Sequence, residues 1–150
     1  MTSKTFKNWA EIEKYLKKEI DNILGKEVLE VVQDEMIQAV DSVVYDAGTP
    51  LYYQRRGLSE YSLGLGGRQQ MDGVVNNGTL EVTNNAPPQN EFNNDKSLAY
   101  NIEYGYGSKD QWFNVSRPFI QTTKENLKRN KNHVEAMKEG LVKRGLKVVD

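Results

Sequence analysis

The sequence predicts an α+β fold: a long N-terminal helix or helix pair and C-terminal helices, packed on a small antiparallel β-sheet with long polar loops. Three observations predict it. Apolar residues step by three and four through most of residues 9–44 and again through 120–141, the spacing of one helical face. Between these runs, VVNNGTLEVT at Val74–Thr83 has a period of two around an Asn-Gly pair, the pattern of a tight hairpin. The rest is rich in Gly, Asn, Gln and Pro without a sustained apolar period, as loops are. At 150 residues the chain is expected to be a single domain, 1–150.

The first helical run is Trp9, Ile12, Leu16, Ile20 and Ile23; the second is Leu29, Val32, Met36, Val40 and Val43. Gly25 lies between them, where Gly weakens a helix by about 1 kcal/mol relative to Ala. A strict four-residue row also runs from Ile12 to Val44. A period of 4.0 drifts around a 3.6-residue helix, so a break or kink at Gly25 is expected. Glu13, Lys17 and Asp21 place opposite charges four apart, off the apolar face. The helix is expected to end near Val44–Asp46. Gly48 offers a positive-φ cap and Pro50 forbids continuation.

Tyr45–Leu58, YDAGTPLYYQRRGL, concentrates three tyrosines, two arginines, two glycines and a proline. Residues 57–73 then hold five of the twelve glycines and are expected to form a mobile loop, or one ordered by a partner. After the hairpin, Ala86-Pro87-Pro88 ends the strand and a polar loop runs to about Lys96. Leu98–Tyr106 fits a strand through Tyr100, Ile102, Tyr104 and Tyr106. It equally fits a short helix capped by Ser97 and stopped by Gly105. Trp112–Val115 reads as a short strand.

Helix resumes at Pro118, a residue suited to the first turn. Ile120, Thr123, Leu127, Val134, Met137 and Leu141 keep the helical step. Asn130-Lys131-Asn132 can divide this into two helices, Gly145 is a natural C-cap, and Leu146–Val149 can form a terminal strand.

The residues offer little chemistry. There is no cysteine and a single histidine, His133, which builds neither a triad nor a transition-metal site by itself. Gly64-Leu65-Gly66-Gly67-Arg68 lacks the Gly-Lys-Ser/Thr ending of a phosphate loop. No catalytic residue, metal or cofactor is expected. The N-terminus has no apolar signal core and no window is long enough to span a bilayer, so a soluble protein without membrane contact is expected.

Net charge is −1, but residues 1–50 carry six Lys against ten Asp and Glu, and residues 124–147 carry eight Lys and Arg against three Glu. The two ends are expected to meet, within the chain or between copies. Tyr52, Tyr53, Arg55 and Arg56 admit two readings. Interleaved aromatic and basic residues can stack on single-stranded nucleic acid; Tyr and Arg are also the types enriched at protein–protein hot spots. Without a wider basic field, protein contact is favoured. Arg68, Lys128, Arg129 and Lys131 complete the candidate interface.

Four ordered pieces resemble a known family: VYDAGTPLYYQRRGL at Val44–Leu58, GTLEVTNNAPP at Gly78–Pro88, IEYGYG at Ile102–Gly107, and RPFIQTTKENLK at Arg117–Lys128, followed by HVEAMKEGLVKRGLKV. The chain is similar to the small neck and tail-completion proteins, the head–tail joining or tail components of long-tailed bacteriophages and prophages. The resemblance covers the chain from about residue 28 onward. It implies helices on a small antiparallel sheet, and it tilts residues 102–105 towards a short helix. It implies a non-enzymatic virion protein, assembled in the host cytoplasm as a homo-oligomeric ring, often of six, at the head–tail junction or tail terminus. The implied partners are other copies of the chain and neck or tail-tube proteins, with phage DNA passing through the channel without sequence-specific binding. The Gly- and Gln-rich loop after Arg56 departs from the family pattern.

Overall fold

The computed structural model describes residues 4–46, 62–87, 97–105 and 115–149. The observed architecture is α+β. A long N-terminal helix spans residues 9–45, a two-stranded antiparallel hairpin lies against it, and C-terminal helices pack against them.

Asn8 caps the first helix. Its side chain accepts from the Glu11 amide at 3.0 Å, and the Glu11 carboxylate accepts from the Lys7 amide at 2.8 Å. This close relative of a capping box satisfies two amides that a helix start leaves unpaired. From there α1 (Trp9–Ile23) and α2 (Leu29–Ala39) run as one continuous rod, joined by a π-helical turn at Leu24–Val28 and extended by a second at Val40–Tyr45.

Of the two readings at Gly25, a helix pair or one long helix, the structure takes the long helix: Gly25 sits inside the first π turn, with the helix intact on both sides. The four-residue row explains why. On an ideal helix each four-residue step overshoots by about 40°. A π turn, bonded i→i+5, winds less per residue and takes back part of that drift. Every member of the row from Ile12 to Val44 is half-buried or buried. Trp9, assigned to the same face, is 74% exposed.

The hairpin is β1 (Met71–Asn76) paired with β2 (Thr79–Asn84), in register Val75 with Leu80 and Asn76 with Thr79. Asn77 and Gly78 both have positive φ, 49° and 74°, as the tightest hairpin turn requires. Leu80 and Val82 face inward while Thr79, Glu81 and Thr83 face solvent.

β1 starts three residues earlier than the alternation around Val74 suggests. In the segment expected as one loop, residues 62–73 are packed and hydrogen-bonded; residues 57–61 lie outside the described residues. Ser62 Oγ accepts from the Gly64 amide at 3.0 Å, and the Gly67 amide donates to Gly64 O at 3.0 Å. A 3₁₀ turn, Arg68–Gln70, then leads into β1. A Cβ on Gly67 would stand 1.9 Å from Ser62 O. This glycine serves close backbone approach rather than freedom of motion.

Hairpin and helix cross tightly. A Cβ on Gly73 would meet Leu29 Cδ1 at 2.5 Å. The Gly78 amide donates to Asp21 Oδ1 at 3.1 Å, and buried Gln33 donates to Met71 O at 2.8 Å.

α3 (Leu98–Tyr104) resolves the ambiguous stretch as helix, with Ser97 Oγ accepting from the Tyr100 amide at 3.2 Å and Gly105 ending it at φ 81°. α4 (Phe119–Asn130) and α5 (Asn132–Lys143) are separated by Lys131 in the left-handed region, φ 57°. Pro118 stands at the N-cap of α4, one position before the first turn. Gly145, φ 78°, closes α5 in a Schellman arrangement: its amide donates to Val142 O and that of Leu146 to Leu141 O. Leu146–Val149 forms no strand. Trp112–Asn114, expected in a strand, lies outside the described residues.

The main core joins α2, the second π turn, the segment leading into the hairpin, α3 and α4 around Phe119, which is completely buried. Ile23, also fully buried, faces α5 at Gly140.

Candidate interaction surface

Two buried carboxylates fix how the C-terminal half meets the rod. Glu103, on α3, accepts from the amides of Ile120 at 2.8 Å and Gln121 at 3.0 Å. Pro118 makes no side-chain cap, so α4 is capped by a neighbouring helix. The partial positive charge of the α4 N-terminus favours the carboxylate there. Arg117 N donates to Ile102 O at 2.8 Å and Ser116 Oγ to Glu103 O, which locks α3 to the start of α4. Glu35, on α2, accepts through one oxygen from Asn130 at 2.6 Å and Asn132 at 3.1 Å. It thus clamps both sides of the α4–α5 corner.

The opposite charges of the two chain ends meet within the molecule at Arg144. Arg144 bonds Glu19 at 3.0 Å and Glu27 at 2.8 Å, and also donates to Gly140 O at 3.0 Å. The Arg144 hydrogen bond holds the Glu27 carboxyl below its ordinary 4.5, against the opposing effect of burial. Arg144 is shifted upward, first by that same bond. Glu27 Oε2 and His133 Nδ1 are buried without a hydrogen-bond partner.

The candidate interface residues fall into three groups. Arg68 is engaged inside the chain: it ion-pairs with Asp34 and donates to Gln33 Oε1 at 3.1 Å, tying the 3₁₀ turn to α2. Lys128, Arg129 and Lys131 are exposed together at the end of α4 and its corner. Arg129 donates to Asn126 at 3.1 Å, while Lys128 and Lys131 form no ion pair among the described residues. Tyr52, Tyr53, Arg55 and Arg56 lie outside the described residues.

The attachment points of the intervening segments are nonetheless placed. Asp46, Ser62, Pro87, Ser97, Gly105 and Val115 each stand at the edge of a described segment. Each lies within a few residues of a member of the Phe119 core or of an element packed on it: Val44, Leu65, Ala86, Leu98 and Ile102, or α3 itself through Ser116. These six described ends therefore all border one part of the molecule, the Phe119 core. That part also displays apolar surface: Leu63, Tyr104 and Val115 are exposed, and the rings of Tyr100 and Tyr104 meet at 4.8 Å, tilted by 50°, on the outer side of α3.

Sequence reasoning missed Glu35, Glu103 and the Tyr100–Tyr104 pair. The two carboxylates have no local signature, because their partners lie in other segments. The tyrosines are four apart, a helical spacing that the strand alternative obscured.

A family model for YomN matches residues 8–143, from the cap of α1 to the last residue of α5. The chain belongs to the YomN family. The match takes in all the helices and the hairpin, so the family corresponds to the whole described fold. No curated protein and no solved structure matches the chain. Among the described residues no helix is long and apolar enough to cross a membrane, and no group of three or more His, Cys, Asp or Glu is placed to hold a metal ion.

Proposed function

We propose that this YomN-family chain is a structural protein of a long-tailed phage virion, forming a homo-oligomeric ring at the head–tail junction or tail terminus. The mechanism is assembly rather than catalysis. One observation carries the reading. The four sequence pieces that resemble neck and tail-completion proteins are separated along the chain, yet each supplies residues to the same core or to its packed edge: Val44 and Tyr45, Val82 and Ala86, Ile102, and Phe119 with Ile120. The resemblance thus concerns one contiguous region. The described part of that region exposes Tyr100 and Tyr104, and tyrosine surface of this kind suits docking against neighbouring subunits.

Negative-stain imaging and native mass measurement of the purified full chain test this. A closed ring with a central hole, six subunits being the expected number, supports the reading. A species that stays monomeric at high concentration and in the presence of tail-tube protein overturns it. Retention of single-stranded DNA at low salt, lost steeply as salt rises and abolished by Arg55→Ala with Arg56→Ala, would instead favour a nucleic-acid-binding module.

A further inference from the structure

We propose that α5 is an exchangeable arm: in the assembled state Lys131 turns helical, α4 and α5 become one straight helix, and α5 seats on α1 of a second copy. The inference rests on the assembly reading only in taking another copy of this chain as partner.

Four observations point the same way. The corner is a single residue, and that residue is Lys131 at φ 57°, a conformation that L side chains with a Cβ rarely adopt. Glycine would take it without strain, yet the sequence places a good helix former there.

The sequence runs through the corner as though it were absent. Ile120, Leu127, Val134 and Leu141 recur every seven residues, with Thr123, Asn130 and Met137 at the intervening positions. That is a heptad pattern carried across residues 119–143 with no insertion or deletion. Two helices meeting at a corner have no need of a shared phase. In the bent form Val134, at the centre of this pattern, is exposed.

The seat of α5 is also one that a helix can leave and re-enter. Gly140 is the only buried residue of α5. Around it Ala136, Met137 and Leu141 are only half-buried, and Arg144 adds bonds to Glu19 and Glu27. An identical seat exists on every copy, so exchange conserves each of these bonds and needs no new surface. This is the economy of domain swapping.

Finally, the corner carries its own lock. Glu35 holds Asn130 and Asn132 together through one carboxylate oxygen. Straightening the helix separates those two side chains on the helix surface and releases the clamp, so the bent form is the resting state of the free subunit.

The test exploits the absence of cysteine from the chain. Chains carrying Ile23→Cys are mixed with chains carrying Gly140→Cys, associated under oxidising conditions, and separated without reductant. Exchange predicts disulfides between chains in the mixture; a single chain carrying both substitutions reports that the seat itself can be cross-linked. Because these substitutions touch a tight contact, hinge variants give an independent reading. Lys131→Ala favours the straight helix and Lys131→Gly the corner. Their oligomer fractions by size exclusion with light scattering are expected to differ by at least about fivefold, with Ala the higher. Failure of the mixture to cross-link, together with equal oligomer fractions for the two hinge variants, overturns the proposal. A ring whose disulfides stay within single chains also overturns the exchange while leaving the virion reading in place. Exchanged dimers that never close into a ring do the reverse.

Discussion

α4 and α5 are two helices of twelve residues each, one residue apart, and they are held by opposite means. α4 is anchored by apolar burial. Phe119 is completely enclosed, Thr123 lies beneath it, and Glu103 caps the helix from outside. α5 buries only Gly140 fully and is held largely by polar bonds, from Arg144 to Glu19 and Glu27 and from Asn132 to Glu35. The difference teaches where this molecule can yield. Burial of an aromatic ring is insensitive to pH and gains nothing from a substitute partner, whereas a seat of hydrogen bonds to carboxylates depends on their charge and can be rebuilt elsewhere.

The largest effect is expected from Phe119→Ala, which empties the centre of the main core. A loss of about 3–5 kcal/mol, read as a fall in the urea midpoint, would mark α4 as the stronger anchor. A loss under about 1 kcal/mol would erase the contrast.

Next comes Gly140→Ala. Its Cβ would stand 2.6 Å from Ile23 Cγ2, on a β-branched side chain that is fully buried and cannot step aside. A net destabilisation of about 1–3 kcal/mol is expected from overpacking, although Ala is otherwise the better helix former. Hydrogen exchange should show the loosening in α5 and its seat while α4 stays protected; equal loss in both helices would mean that they fold as one unit.

Glu103→Ala is expected to cost about 1–2 kcal/mol, the range of a lost helix cap. Protection should fall first at the Ile120 and Gln121 amides. Unchanged exchange at those two amides would show that the carboxylate is not their partner in solution.

The smallest effect concerns pH. Because the folded-state pKa of Glu27 is depressed below 4.5, its contribution is fully present above that value and is lost as pH falls through the lower folded-state value. Arg144→Met should reduce stability at neutral pH by about 1 kcal/mol and flatten the part of the acid limb below pH 4.5 that Glu27 supplies. A variant with the same acid profile as the parent would assign that limb to other carboxylates.

Some of this was legible in the sequence because it is local. Asn77-Gly78 fixes the hairpin turn, Asn130-Lys131-Asn132 marks the helix corner, and Ser97 with Gly105 brackets α3. The π turns were not legible. The row from Ile12 to Val44 announced an abnormal period, but a break and a change of winding produce the same pattern on paper. The early start of β1 was hidden because Met71-Asp72-Gly73 lacks a β-branched residue. Its place is set by Gln33 and Leu29 on the rod. Of the candidate interface, Arg68 looked free because its partners, Gln33 and Asp34, are more than thirty residues away. Charge totals suggested that the chain ends attract. Only the fold reveals that Arg144 makes such a contact while Lys128 and Lys131 remain exposed.

The first π turn also sets the phase of the molecule. It holds one residue more than an α-helical turn would, and its looser winding decides how the part of the rod before it is rotated relative to the rest. Rewinding the turn as ordinary α-helix with all its residues kept would swing everything before it out of phase. Asp21 would leave the hairpin tip and Glu19 would leave Arg144, while Gln33, Glu35 and the Phe119 core kept their places. The turn acts as a gear tooth: its looser winding keeps the hairpin and α5 in step with the same shaft.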